Sequence, residues 1–350
     1  MRFEPARVLV PVAVEKTGRE DILDALRCRN SVIEALEHAG YTAIPLDIQP
    51  GDLCSPSALA MRILKARPGC VFNLFEGFSA APYFEWSFVA LLEAIEIPFT
   101  GNGSKALADC LDKDRARKML SRAGLPVPPG LCIHSVTEKS RLENLSFPLF
   151  VKPRCEDSSV GINSDSVVRD KSLLEPLLVQ RLEEFPDGLV VEEYLPGTEY
   201  NAGCIGAAPY EFLALSSIQY RPEKKTSDFL GYDSKWKPES LDYQEIGSCI
   251  EQDLSLPLHR RIRDMCLEAG EVMGCRGYFR VDFRERNGEV FILEVNPNPD
   301  INTDSGFSRQ SAAAGYDYSD MIAKLVEIAL EGRRKHVRHG LRQTHPVGVR

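Results

Sequence analysis

Residues 278–300, YFRVDFRERNGEVFILEVNPNPD, constrain this chain more than any other stretch. Two runs of alternating polar and apolar residues flank Asn287-Gly288, the pattern of a β-hairpin with one buried face. Any strand with one wet face alternates in this way, and on that reading Arg280, Asp282, Glu294 and Asn296 simply meet water. The turn decides between the two readings. A two-residue Asn287-Gly288 loop pairs Arg286 with Glu289 and sets Asp282 opposite Leu293, on the face away from Glu294. A three-residue loop, Arg286-Asn287-Gly288 with Gly288 in the left-handed bulge position, puts Arg280, Asp282, Ile292, Glu294 and Asn296 on one face. The second register is expected, because the first packs Asp282 with Leu293. It gathers two carboxylates, an amide oxygen and a guanidinium. Hard oxygen donors of this kind suit Mg²⁺, whose shell substrate phosphate completes.

At 350 residues the chain exceeds one ordinary core, which implies two or three domains or one large α/β enzyme. A net charge of -9 argues against a nucleic-acid surface. No segment is apolar for long enough to span a bilayer, and MRFEPARVLVPVAVEK lacks a signal-peptide cleavage pattern, so a cytoplasmic protein with no membrane partner is expected. The ten cysteines form no close CxxC pair and read as small buried hydrophobes in a reducing compartment. Cys155, in a polar loop, is expected to be the exposed one.

ARVLVPVAV (6–14) is a continuous apolar strand, and Ile22, Leu23, Leu26, Val32, Ile33 and Leu36 recur at helical spacing up to Gly40. TAIPLDI, SALAMRILKA, CVFNLF and EWSFVALLEAI continue the alternation to IPFTGNG (97–103), a doubly wound parallel-sheet domain. No GxGxxG follows the first strand, so a dinucleotide role lacks its main support. A charged helix broken at Gly124 follows, then the strand FPLFVKP (147–153), a helix over 170–183 and the strand GLVVEEYL (188–195). Residues 198–300 read mainly as strands apart from a helix over 258–273. A last amphipathic helix ends near Leu330, before a basic tail expected to be mobile. The expected domains are 1–104, 105–187, 188–332 and the tail 333–350, an α/β unit joined to α+β lobes.

Lys152 ends a buried strand and precedes EDSSVGI, placing a cation beside the Ser158 and Ser159 hydroxyls and free backbone N–H groups that can cradle polyphosphate. It is not a Walker A loop. Asp157 repels phosphate there unless it binds a metal or an amine. VVEEYLPGTEY (190–200) offers a strand edge that can read adenine and carboxylates, Glu192, Glu193 and Glu199, that can hold ribose; solvated acids on an exposed edge fit as well. RPEKKTSDFLGYDSKWKPES (221–240) reads as a lid rather than a nucleic-acid patch, with Lys235 bringing charge to a triphosphate on closure.

Together these sites resemble the ATP-grasp superfamily, and their order resembles its D-alanine–D-alanine ligase branch. The likeness rests on DKDRARKML (112–120), FPLFVKPRCEDSSVGI (147–162), VVEEYLPGTEY (190–200), GYDSK (231–235), GCRGYFRVDF (274–283) and FILEVNPNPD (291–300). It implies a Rossmann-like first domain and two α+β lobes that clamp ATP. Lys113 and Lys152 then match phosphate-binding lysines, with Ser158 and Ser159 beside them, and Glu192, Leu195 and Glu199 match adenine and ribose contacts. Lys235 matches the lid lysine, and Asp282, Glu294 and Asn296 match the ligands of two Mg²⁺ ions, which Mn²⁺ can replace. Arg280 is the oxyanion donor of the implied chemistry, with Lys235 and Ser158 the other catalytic positions. The resemblance implies ATP-dependent joining of a small carboxylate to an amine through an acyl phosphate, with release of ADP, and a homodimer through the first lobe.

Three positions depart from the family pattern. Asp300, with Asp304 close behind, stands where the family has a glycine; Glu76-Gly77 stands for its His-Gly; and Asp157 replaces a loop glycine. Asp300, Asp304, Ser305 and Glu76 are the expected substrate contacts, with Glu85 and Asp21 further candidates for the first substrate's amine. An acid at 300 disfavours a substrate carboxylate, so a cationic or hydroxylated amine is expected in place of D-alanine. A non-ligating ATP sensor or a phosphotransferase on the same scaffold is the alternative, against which the presence of Arg280 counts.

Overall fold

A computed structural model describes residues 6–15, 20–78, 81–157, 159–221, 228–237, 239–252 and 254–343. The first lobe opens with β1 (Arg7–Ala13), α1 (Glu20–His38), β2 (Thr42–Ile48), α2 (Pro50–Leu53), α3 (Pro56–Ala66), β3 (Cys70–Val71) and α4 (Phe84–Ala94). Its sheet is parallel in the order β2-β1-β3, and Val71 bridges Phe99 beyond it. β1 is apolar at nearly every position because both its faces are covered. Val8 and Val10 face α1 through Val32 and Leu36, while Leu9 faces α3 and α4 through Ile63 and Phe88.

The chain continues through α5 (Ser104–Leu111) and α6 (Lys113–Arg122), then β4 (Gly130–Ile133), β5 (Leu149–Pro153), β6 (Val167–Val168), α7 (Lys171–Glu184) and β7 (Leu189–Glu193). The last four strands form an antiparallel sheet, β4-β7-β5-β6, with Leu174 and Leu178 of α7 packed on Val151 and Val191. β7 pairs with β4 and β5, so residues 189–193 complete this sheet rather than the following lobe, to which a boundary at 187 assigns them. In the same way Cys110, Ala116 and Leu120 of α5 and α6 pack into the core of the last lobe.

That last lobe holds β8 (Glu199–Gly206), β9 (Glu211–Gln219), α8 (Tyr232–Trp236), α9 (Leu241–Glu245), β10 (Gly247–Ile250), α10 (Leu256–Met273), β11 (Gly277–Arg286), β12 (Glu289–Pro297), α11 (Gly306–Ala313) and α12 (Tyr318–Gln343). Its antiparallel sheet runs β10-β9-β8-β11-β12. α10 begins with a proline in its first turn and ends on Gly274 at φ 67°, the left-handed stop that glycine adopts without strain. α12 continues to Gln343, past the expected end near Leu330; residues 344–350 lie outside the described residues. Its apolar side, Met321, Ile322, Leu325 and Val326, returns to the first lobe and covers the β1 face that α1 shares.

The turn of the β11–β12 hairpin is the two-residue one. Arg286 pairs with Glu289, and Asn287 and Gly288 both take positive φ, 55° and 81°, as a type I′ turn requires. A register shift then falls between Asp282/Glu294 and Phe283/Ile292, leaving Leu293 as the extra residue of a bulge. The expected three-residue loop is thus replaced by a tight turn and a bulge five residues further on. The bulge inverts the alternation, so Asp282 pairs Glu294 and Arg280 pairs Asn296. Ile292, expected on the polar face, lies in the core with Phe283 and Val295.

Candidate active site

The two sheets of the second half and the first lobe meet around the polar face of β11. Alternation puts Tyr278, Arg280, Asp282 and Arg284 on that face. Arg280 donates to Asp282 through Nε at 2.7 Å and Nη2 at 2.8 Å, a bidentate pair that fixes both side chains. Asn201 Nδ2 donates to the same carboxylate at 2.8 Å, and Asn296 Nδ2 donates to Asp282 at 2.8 Å and Glu294 at 3.3 Å.

Burial alone raises the Glu294 carboxyl, yet Lys113, Lys152, Lys235 and Arg280 together hold it down at about 2. Those four cations come from α6, β5, α8 and β11, so the site draws on both sheets. Among the described residues no three of His, Cys, Asp and Glu converge as a metal cage. The donor set here is two carboxylates and an amide, hard oxygen donors that fit Mg²⁺ with few protein ligands once the Asn296 amide turns its oxygen to the acids.

Lys152 Nζ and Glu192 Oε1 stand 2.7 Å apart with side chains 7% and 5% exposed. A phosphate-lysine candidate and an adenine-contact candidate therefore form one buried pair. Lys113 starts α6, where Asp112 caps the helix by accepting from Arg115 N at 3.1 Å and is held by Arg154, next to the loop after β5. The Lys113 ammonium donates to the Glu156 carbonyl. Ser159, at φ 61°, donates to the Leu230 carbonyl at 3.4 Å, joining this loop to the segment before α8; Ser158 lies outside the described residues. Asp157 faces Lys113, Lys235 and Glu294, and burial outweighs the lysines so that its carboxyl is raised. Only 221, 228–237 and 239–240 of the expected lid are described.

Leu195 is buried just beyond β7, and Glu199 begins β8. Burial raises the Glu199 carboxyl despite Arg284 nearby, and Tyr220 Oη donates to it at 2.6 Å. Sequence reasoning passed over Arg284. Its Nε donates to the Gly197 carbonyl at 3.1 Å and its guanidinium lies 5.1 Å from the Tyr194 ring centre and 5.5 Å from that of Tyr220. The alternation that singles out Arg280 and Asp282 reaches Arg284 two residues later.

On the first-lobe side, Glu85 of α4 accepts from Asn298 Nδ2 at 3.1 Å. Burial, then Asp157 and Glu76, raises its carboxyl well above the usual range. Asn298, at φ 55°, also accepts at Oδ1 from Asn102 N at 2.8 Å. This contact requires Gly101: a Cβ there would lie 2.3 Å from Asn298 Oδ1. Asp300 accepts from Asn302 N at 2.8 Å and Asn302 Nδ2 at 3.0 Å, and burial, with Asp24 adding to it, raises its carboxyl. Glu76 is exposed in the loop before α4, and the Asp21 side chain lies outside the described residues. Ser305 is the N-cap of α11, accepting from Ser308 N at 3.1 Å, while Asp304 lies exposed on the turn before it. Cys155 is half-buried; Cys54 and Cys249 are the exposed thiols, contrary to the expectation.

A family profile described as the D-ala D-ala ligase C-terminus matches residues 119–327. A D-alanine–D-alanine ligase of Bartonella henselae is 30% identical over 300 residues, which cover 85% of this chain and 90% of that one. The chain belongs to the D-alanine–D-alanine ligase family. A second relative of that name, from Gluconobacter oxydans, is 30% identical over 304 residues, 86% of this chain and 92% of its own. Among solved structures, the D-alanine–D-alanine ligase from Bacillus anthracis complexed with ATP matches with a TM-score of 0.74 at 22% identity, over 95% of this chain and 99% of that one. The VanG D-Ala:D-Ser ligase from Enterococcus faecalis matches with a TM-score of 0.72 at 22% identity, over 93% and 99%. The ligase-family fold seen here is the ATP-grasp fold, with parallel and antiparallel sheets in one chain. Among the described residues of this ligase-family member no helix is long and apolar enough to cross a membrane.

Proposed function

We propose that this chain joins a carboxylate to an amine other than D-alanine, through an acyl phosphate made from ATP. Family membership makes it an ATP-dependent, ADP-forming ligase acting on small molecules. The observation that carries the acyl-phosphate reading is the β11–β12 face, where Asp282, Glu294 and Asn296 adjoin Arg280 and the lysines Lys113, Lys152 and Lys235.

The chemistry follows from charge. A donor carboxylate and a triphosphate are both anions, and the lysines lower the energy of bringing them together. Mg²⁺ held by Asp282, Glu294 and Asn296 would add neutralisation at the same face. The donor oxygen attacks the γ-phosphorus, the bond to the β-phosphate oxygen breaks, and ADP leaves. The amine then attacks the acyl carbon, phosphate departs, and the nitrogen loses a proton. Arg280 Nη1 has no protein partner among the described residues, while Nε and Nη2 are anchored on Asp282; it is the donor for the oxyanion of that second step. Glu192, Leu195 and Glu199 line the position for adenine and ribose, and Lys235 and Ser159 lie where the segment around α8 meets the loop after β5. Asp300 supports an acceptor other than D-alanine, because its charge opposes an acceptor carboxylate.

Hydroxylamine trapping tests the reading. With ATP, MgCl₂ and a panel of amino-acid donors, hydroxamate and ADP are expected with at least one donor and are expected to fall by about 100-fold in Arg280→Ala. No hydroxamate with any donor would point instead to a sensor or, where ADP is still released, to a phosphotransferase.

A further inference from the structure

Tyr278 follows the same alternation as Arg280 and Asp282, so its side chain leaves β11 on the site face. Its ring is tilted against Phe307 at 5.7 Å and only 2% of the residue is exposed, yet its hydroxyl has no hydrogen-bond partner among the described residues. The groups it faces are Glu76, Cys28, Glu85 and Asp300. A second phenol, Tyr318 at the start of α12, carries a buried hydroxyl without a partner among the described residues and faces Cys28 and Asp300. Leaving a buried hydroxyl unsatisfied is unfavourable, so the Tyr318 hydroxyl on the side of that carboxylate calls for a ligand, with the Tyr278 hydroxyl free to join it.

The chemistry of that ligand is set by what surrounds it. Asn302 Nδ2 bridges Asp300 at 3.0 Å and Asp24 at 2.6 Å, so two carboxylates stand together at this end. Arg280 is the cation facing Asp300, and two of its donors are held by Asp282. An ammonium has N–H donors and no acceptor, which suits a carboxylate and phenol oxygens; a carboxylate offers only acceptors and meets like charge. We infer that the acceptor amine carries a second, cationic group at the end away from its attacking nitrogen, received by Asp300 between the hydroxyls of Tyr278 and Tyr318. The acceptor class is therefore diamines and other amines with a basic tail. This inference rests on the ligase reading above and narrows it.

Three acceptors of one chain length test it: diaminobutane, butylamine and aminobutyrate, differing only in a cationic, neutral or anionic tail. Each is supplied to the full chain with ATP, MgCl₂ and a donor that gives hydroxamate, and the amide is quantified by mass spectrometry. Diaminobutane is expected to exceed butylamine in kcat/KM by about tenfold, with aminobutyrate the poorest. In Asp300→Asn the order is expected to flatten, and in Tyr278→Phe to weaken; each order is read within one variant, so a general loss of activity cancels. Aminobutyrate matching diaminobutane, an unchanged order in Asp300→Asn, or use of D-alanine with none of the three would overturn the inference. Absence of hydroxamate with every donor would instead remove the ligase reading beneath it.

Discussion

Glu294 is ionised where burial would keep it neutral, because Lys113, Lys152, Lys235 and Arg280 surround it. Its folded value of about 2 lies below the ordinary 4.5, so its contribution to stability is present above about 4.5 and is lost as pH falls through about 2. Glu294→Gln leaves those cations facing one another. Urea unfolding is expected to show it less stable than the parent by on the order of 3 kcal/mol near pH 7, with the gap closing between pH 4.5 and 2. Equal stability at pH 7 would contradict the account. At this scale the sequence made Arg280, Asp282, Glu294 and Asn296 legible because charge on an alternating strand is visible in one dimension. Arg284 was not, since its partners Gly197, Tyr194 and Tyr220 come from distant positions. The capping of α11 by Ser305, a position expected to touch substrate, was likewise not legible, because it depends on where the helix begins.

The β11–β12 hairpin separates two devices that sequence reading merged. The tight turn sets the pairing of Arg286 with Glu289, and the Leu293 bulge then brings Asp282 level with Glu294. Asn-Gly signals the turn plainly, but a bulge in mid-strand leaves no composition mark; it follows from which side chains the neighbouring core accepts. Gly288→Ala strains a residue at φ 81° with no neighbour within 4 Å of the added Cβ. It is expected to lower unfolding stability by about 1 kcal/mol, measured in urea, with kcat unchanged, because the bulge still sets the polar face. A fall in kcat parallel to the stability loss would show that the turn, and not the bulge, sets the site.

Over the whole molecule, the three sheets and their order were largely legible, since apolar runs, helical spacing and glycine stops are local. The joins between lobes were not. α5 and α6 pack into the last lobe, α12 returns to the first, and Asn298 reaches Gly101, Asn102 and Glu85; each depends on contacts across much of the chain. Those joins bring the lysines of one sheet to the acids of the other, and the central claim is that this meeting transfers phosphorus to a carboxylate. The direct measurement follows oxygen. With a donor amino acid labelled with ¹⁸O in its carboxyl group, the phosphate released during ligation is expected to carry a single labelled oxygen from the donor, as breakdown of an acyl phosphate requires. Amide formed alongside unlabelled phosphate would contradict it.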